Sequence, residues 1–258
     1  MWMWDNSLID CERRAAFVSG PKEGAYGEID GSCGADDCSP DDVLEMYHYT
    51  NGTFLELNGF LEEAISEFRE TVSICPTEGF YRYTLGVALL KNGQYNDAYN
   101  ELTEALKLDP DNIEARCALA DVHGEIGLNL EMDGRIEAAA DEFREAVSMD
   151  SEYPDYCVSL GRVLLKICRN PTVESSTTRS AYFAEAIRYL RLALRLDPDC
   201  MEARLNLGRA LTMDDSGRSL DEGITMLSSV LQTDPFNDDV RSCLDHARAI
   251  KGRVVNCS

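Results

Sequence analysis

The sequence predicts an all-α fold, an α-solenoid of stacked antiparallel helix pairs, and three observations carry that reading. The first is a 34-residue echo: Gly52, Gly59, Ala64, Phe68 and Pro76 return as Gly86, Gly93, Ala98, Leu102 and Pro110. The second is apolar spacing at helical rather than alternating intervals. Leu85, Val87, Ala88 and Leu89 precede Asn92-Gly93, and Ala98, Leu102, Ala105, Leu106 and Leu108 follow it. The third is punctuation, because Gly93 suits the left-handed residue that ends a helix and Asp109-Pro110 stops the next one. Gly86 and Ala98 are small where the two helices must approach closely. Neither helix could bury its apolar face alone, so a neighbouring pair must supply the other wall; arrays of this kind usually hold other polypeptides.

The run Tyr83-Thr84-Leu85-Gly86, then Leu89, Gly93, Tyr95, Ala98, Leu102, Ala105 and Leu108-Asp109-Pro110, resembles the tetratricopeptide repeat in phase at nearly every defining position. That resemblance implies a right-handed superhelix and sets a frame of five repeats, 45–78, 79–112, 113–153, 154–200 and 201–237. Ahead of them, residues 1–40 are an extension: Met1-Trp2-Met3-Trp4, a short possible helix from Ser7 to Val18, and a Gly- and Asp-rich stretch from Gly20 to Asp42 that reads as flexible linker. Repeat three keeps Leu119-Ala120, Gly134, Ala139, Phe143 and Ala146 but holds seven residues too many before Gly134. Leu119, Val122, Ile126 and Leu130 keep one apolar stripe through the excess, so a longer first helix is expected, weakened by Gly124 and Gly127.

Repeat four has Leu160-Gly161, Ala186, Leu190 and Leu196-Asp197-Pro198, with thirteen extra residues between its landmarks. Their polar, proline-interrupted centre, Asn170 to Thr178, is expected to be a loop. Repeat five has Leu207-Gly208, three extra residues around Asp214-Asp215-Ser216-Gly217, and Gly223 where alanine is usual. After Pro235, Asp238-Asp239 are expected to cap a final helix to about Lys251, whose Val240, Leu244, Ala247 and Ile250 would close the open end within residues 238–258.

Composition narrows the function. Five hairpins and their ends consume the 258 residues and leave no room for a separate catalytic domain. No apolar run approaches the ~18 residues that span a membrane, so no membrane insertion is expected. A net charge of −23 argues against nucleic acid as main partner, since phosphate binding needs a basic footprint. The start lacks a basic region and Asp5 and Asp10 interrupt it, so no secretory signal is read and a cytoplasmic location with reduced thiols is expected. The ten cysteines include no Cys-x-x-Cys pair, and Cys75, Cys117, Cys157 and Cys243 stand where small apolar fillers are expected. His48, His123 and His246 lie apart without an activating motif, and no glycine loop matches a phosphate cradle; no enzyme, cofactor or metal is expected. An accessory role with a metal at Cys33, Cys38 and His48 is an alternative.

In the resembled fold the first helix of each repeat lines the concave face. The inward positions are Met46, Tyr49, Thr53, Glu56 and Leu57, then Phe80, Tyr83, Val87, Leu90 and Lys91, an aromatic and apolar half. Repeats four and five contribute Arg162, Lys166 and Arg209, as a site for carboxylates would. The resemblance thus implies an adaptor whose groove takes a protein or peptide through Tyr49, Phe80, Tyr83, Val87, Arg162, Lys166 and Arg209 and recruits it into a larger complex. The clamp of lysine, asparagine and arginine with which one branch of the family holds chaperone tails has no cations at its positions here. Another reading is a permanent structural subunit contacting through the extension and the 170–180 loop, whose Ser and Thr cluster could accept phosphate.

Overall fold

The computed structural model describes residues 39–170, 176–212 and 219–255, which hold eleven α-helices and no strand. In chain order they are α1 (Pro40–Leu57), α2 (Leu61–Ile74), α3 (Gly79–Lys91), α4 (Tyr95–Leu108), α5 (Ile113–Met132), α6 (Ile136–Met149), α7 (Pro154–Arg169), α8 (Ser176–Leu196), α9 (Met201–Thr212), α10 (Leu220–Thr233) and α11 (Asp238–Val255). The fold is all-α, with sequence-adjacent helices packed as hairpins. Two compact units divide within α5, after Glu125.

In the first unit α1 begins earlier than the repeat frame implies. The Ser39 hydroxyl accepts the Asp42 amide at 3.2 Å, the Asp42 carboxylate accepts the Ser39 amide at 3.0 Å, and Pro40 takes the first helical position. Residues 40–42 are therefore helix, not linker. The turns that close α1, α3 and α5 each carry a glycine in the left-handed region: Gly59 (φ 84°), Gly93 (φ 75°) and Gly134 (φ 76°).

Each hairpin packs through one glycine. A Cβ on Gly52 would lie 2.7 Å from the Phe68 ring, and one on Gly86 would lie 2.6 Å from Leu102 Cγ. The same contact recurs in the second unit between Gly127 and Phe143 (3.0 Å), Gly161 and Leu190 (2.6 Å), and Gly208 and Leu227 (2.9 Å). The backbones approach until the glycine Cα is covered by a large side chain, so no other residue fits without movement. Phe68, Leu102, Phe143, Leu190 and Leu227 are all at most 1% exposed.

This contact corrects the register of the third hairpin. Gly127, which reads as a weak point of a long helix, is the residue that meets Phe143, and it stands seven residues before Gly134, as Gly52 and Gly86 stand before Gly59 and Gly93. α5 does run 20 residues against 13 for α3, and the excess lies ahead of Gly127. The loop expected at 170–178 is also corrected in part. α7 has 16 residues and α8 has 21, against 13 and 14 in the second hairpin, so most of the insertion is absorbed as added helix; 171–175 lie outside the described residues.

In the last hairpin Gly223 has a packing reason. A Cβ there would meet Thr212 Cγ2 at 2.9 Å and the Gly208 carbonyl oxygen at 3.0 Å, leaving no room for the usual alanine. α11 buries Val240, Leu244 and Ala247, the first two clustered with Leu227 and Val230. Its cap is Asn237, whose Oδ1 accepts the Val240 amide at 3.1 Å, rather than Asp238 or Asp239, and the helix continues past Lys251 to Val255.

Candidate functional site

The first helices of the first unit bring the sequence-nominated aromatics together. The Tyr49 ring on α1 sits 5.6 Å from Phe80 on α3, 5.4 Å from Tyr81 and 6.2 Å from Phe68. Phe80 is 51% exposed and Met46 is 61% exposed, while Tyr83 and Val87 are half-buried. At the other end of the same helices Lys91 Nζ pairs with Glu56 Oε1 at 3.0 Å. Leu90 does not belong to the accessible surface, because it is only 4% exposed.

Tyr81 lies beside this patch, at a position the repeat frame does not turn inward. Its hydroxyl and the Cys75 thiol both donate to the Glu45 carboxylate, the thiol at 2.8 Å to Oε2. The position of Cys75 in the repeat suits a small apolar filler; the structure makes it a donor. The bond to Glu45, with burial and the nearby negative charge, pushes its pKa up to about 11. Burial first and the same carboxylate second raise the Tyr81 phenol well above its ordinary value. Both groups thus stay protonated and tie α1 to the end of α2, through Cys75, and to α3, through Tyr81.

In the second unit two of the three basic residues expected to line the groove are already paired. Arg162 and Lys166 of α7 both reach the Glu131 carboxylate, which is 7% exposed, and Arg162 also lies 3.2 Å from Glu202. Of the trio expected to meet carboxylates, Arg162 and Lys166 thus meet one within the chain itself. Arg209 is half-buried and has no ion pair among the described residues. A signal for the pairing was present in the sequence: Glu56 and Lys91 are 35 positions apart, and so are Glu131 and Lys166. It becomes legible only once Gly127 is the register residue, because Glu131 then takes the place in its hairpin that Glu56 takes in the first.

His48 Nδ1 donates to the Glu67 carboxylate at 2.6 Å, so its ring is engaged across the first hairpin. Cys33, Cys38 and the tryptophans Trp2 and Trp4 lie outside the described residues, among which no group of three His, Cys, Asp or Glu is placed to hold a metal. No described helix is long and apolar enough to cross a membrane.

Residues 86–127 match a family model described as TPR repeat, and residues 181–237 match one described as tetratricopeptide repeat. No curated protein matches the chain in sequence. Among solved structures, MamA protein is 19% identical over 76% of this chain and 94% of its own, with a TM-score of 0.52. YrrB, described as a TPR protein with an unusual peptide-binding site, is 21% identical over 72% of this chain and 84% of its own, with a TM-score of 0.51. MamA of Desulfovibrio magneticus RS-1, from residue 41 to its end, is 17% identical over 76% and 97%, again at 0.51. At such identities the likeness concerns the fold. Two family matches, falling in a chain whose hairpins each close on one glycine, show that this is a tetratricopeptide-repeat protein.

Proposed function

We propose that the chain is a non-enzymatic adaptor whose first-helix face holds a segment of a partner protein and so builds a larger assembly. The observation that carries the reading is the patch on α1 and α3, where Met46 and Phe80 are more than half exposed while Tyr49 packs beneath Phe80. Large apolar side chains held on rigid helices and left open to water are what an interface anchor requires, because little ordering entropy remains to be lost on binding. Tyr83 and Val87 flank this patch, and the Glu56–Lys91 pair gives its far end a polar rim. That YrrB has a peptide-binding site supports the capacity of the fold, not the choice of partner. In the second unit Arg209 is the cation best placed to pair with an incoming carboxylate, whereas Arg162 and Lys166 would first have to exchange Glu131.

Affinity purification with mass spectrometry tests the proposal. Proteins captured by the native chain should be lost with Phe80→Ala and Tyr83→Ala while far-ultraviolet circular dichroism stays unchanged. Retention of the same partners by both variants would remove the basis for this face.

One observation favours the second reading, a permanent structural subunit. Val43 (55% exposed), Tyr47 (60%) and Phe54 (63%) line one side of α1 at helical spacing, opposite the Gly52 that meets α2. A permanently buried interface would cover such a stripe. Concentration-dependent assembly abolished by Tyr47→Ser with Phe54→Ser would mark that role.

A further inference from the structure

α8 and α10, the second helices of two neighbouring hairpins in the second unit, border a groove that the function proposed above does not use. Lined by these helices and by Leu207 of α9, it is an open groove of about 590 Å³ whose apolar residues include Ile187, Leu194, Leu207 and Met226 and whose cations are Arg188, Arg191 and Arg195. The only carboxylate among the lining residues is Glu222, paired with Arg191 at 2.8 Å. The Arg188 guanidinium stacks on the Tyr189 ring at 4.5 Å, which holds it at the rim, and Arg195 has no ion pair among the described residues. Within a chain of net charge −23 this groove is cationic, since three arginines face one glutamate.

Helical geometry explains the stripe. Arg188, Arg191 and Arg195 are three and four residues apart, so they share one face of α8, and the outer two are separated by about 10 Å of helix rise. Guanidinium groups are weakly hydrated and fit carboxylates in paired hydrogen bonds, and the apolar residues beside them exclude water from part of the contact. A structural role would consume the charges, as it does at Arg144, which holds both Glu185 and Asp141. On the groove only Arg191 is so consumed.

We propose that the α8–α10 groove binds an acidic peptide segment of a partner protein, with carboxylates on Arg188 and Arg195 and an apolar side chain on Leu194 and Met226. Charge decides the occupant: an anionic segment finds here a favourable potential that the acidic remainder of the chain withholds. Nucleic acid, the other polyanion, would have to approach a strongly negative molecule along its whole backbone.

The test uses the full chain and a fluorescein-labelled peptide of alternating glutamate and leucine in fluorescence anisotropy. Binding is expected at low ionic strength, weaker as salt rises, and absent for peptides with glutamine or lysine in place of glutamate. Arg188→Glu with Arg195→Glu should weaken it at least tenfold, Arg188→Lys with Arg195→Lys should retain most of it, and Phe80→Ala should leave it unchanged. The proposal is overturned if the glutamate peptide does not bind, or if the charge-reversed variant, with helicity intact, binds as well as the native chain. It is equally overturned if a single-stranded oligonucleotide binds more tightly at the same arginines, or if sedimentation shows the groove already filled by a second copy.

Discussion

Replacing Gly86 by alanine tests the central packing device. In a helix that meets nothing, glycine to alanine stabilises by up to about 1 kcal/mol through backbone entropy. At Gly86 the new methyl would lie 2.6 Å from Leu102 Cγ and 2.9 Å from Leu102 Cδ2. Cγ is a branch point close to the backbone, so no rotation of a distal group relieves the contact; α3 and α4 must part or Leu102 must leave its rotamer. Overpacking of that kind costs about 1–3 kcal/mol, so the propensity gain is exceeded and a net loss of about 1 kcal/mol is expected. Gly252 on α11 has nothing within 4 Å and serves as the control, where alanine should stabilise by roughly 0.5–1 kcal/mol. Leu102→Ala alone, at a fully buried site, should cost about 2–5 kcal/mol. In the double variant the alanine methyl occupies part of the cavity, so the losses should add to about 1 kcal/mol less than their sum. Urea titration followed by circular dichroism measures all four. A Gly86→Ala variant as stable as the native chain, or losses that simply add, would refute the reasoning.

Three further outcomes are expected. Because Glu45 raises the Cys75 pKa to about 11, the thiol should alkylate with iodoacetamide far more slowly near pH 8 than an ordinary thiol, and Glu45→Gln should accelerate it; peptide mapping by mass spectrometry reads the rate. The sign for stability follows: a raised pKa favours the protonated thiol, so this contribution is complete below the ordinary thiol pKa of about 8.5 and is lost as pH rises through about 11. Glu131→Gln should lower stability by about 1–2 kcal/mol, since two charge-assisted contacts go with it, and should strengthen binding of acidic peptides at α7 by releasing Arg162 and Lys166; an unchanged denaturation midpoint would count against it. A chaperone-tail peptide should give no micromolar binding in calorimetry, because the clamp positions lack cations.

The hairpin at 79–112 was readable almost residue by residue, since Gly86, Gly93, Ala98 and Leu102 report local geometry. Harder to read were contacts between residues of different hairpins. Glu131 looks like one more solvated acid until α5 is seen to be lengthened ahead of Gly127, which turns its carboxylate to Arg162 and Lys166. Glu45 likewise stands in the sequence as an exposed helical acid, yet Cys75 at the end of α2 and Tyr81 on α3 converge on it.

The sequence by itself determined the period, the all-helical class, the glycines that end α1, α3 and α5, and the aromatic positions Tyr49 and Phe80, because each depends on φ, on local propensity or on a 34-residue spacing. Only the tertiary structure decided which cations are free and which are consumed. It also showed that the insertion of repeat four became mostly helix and that α8 and α10 line an arginine-edged groove. Charge pairing and grooves depend on side chains tens of residues apart meeting in space, and a one-residue change of register along a helix turns each of them by about 100°.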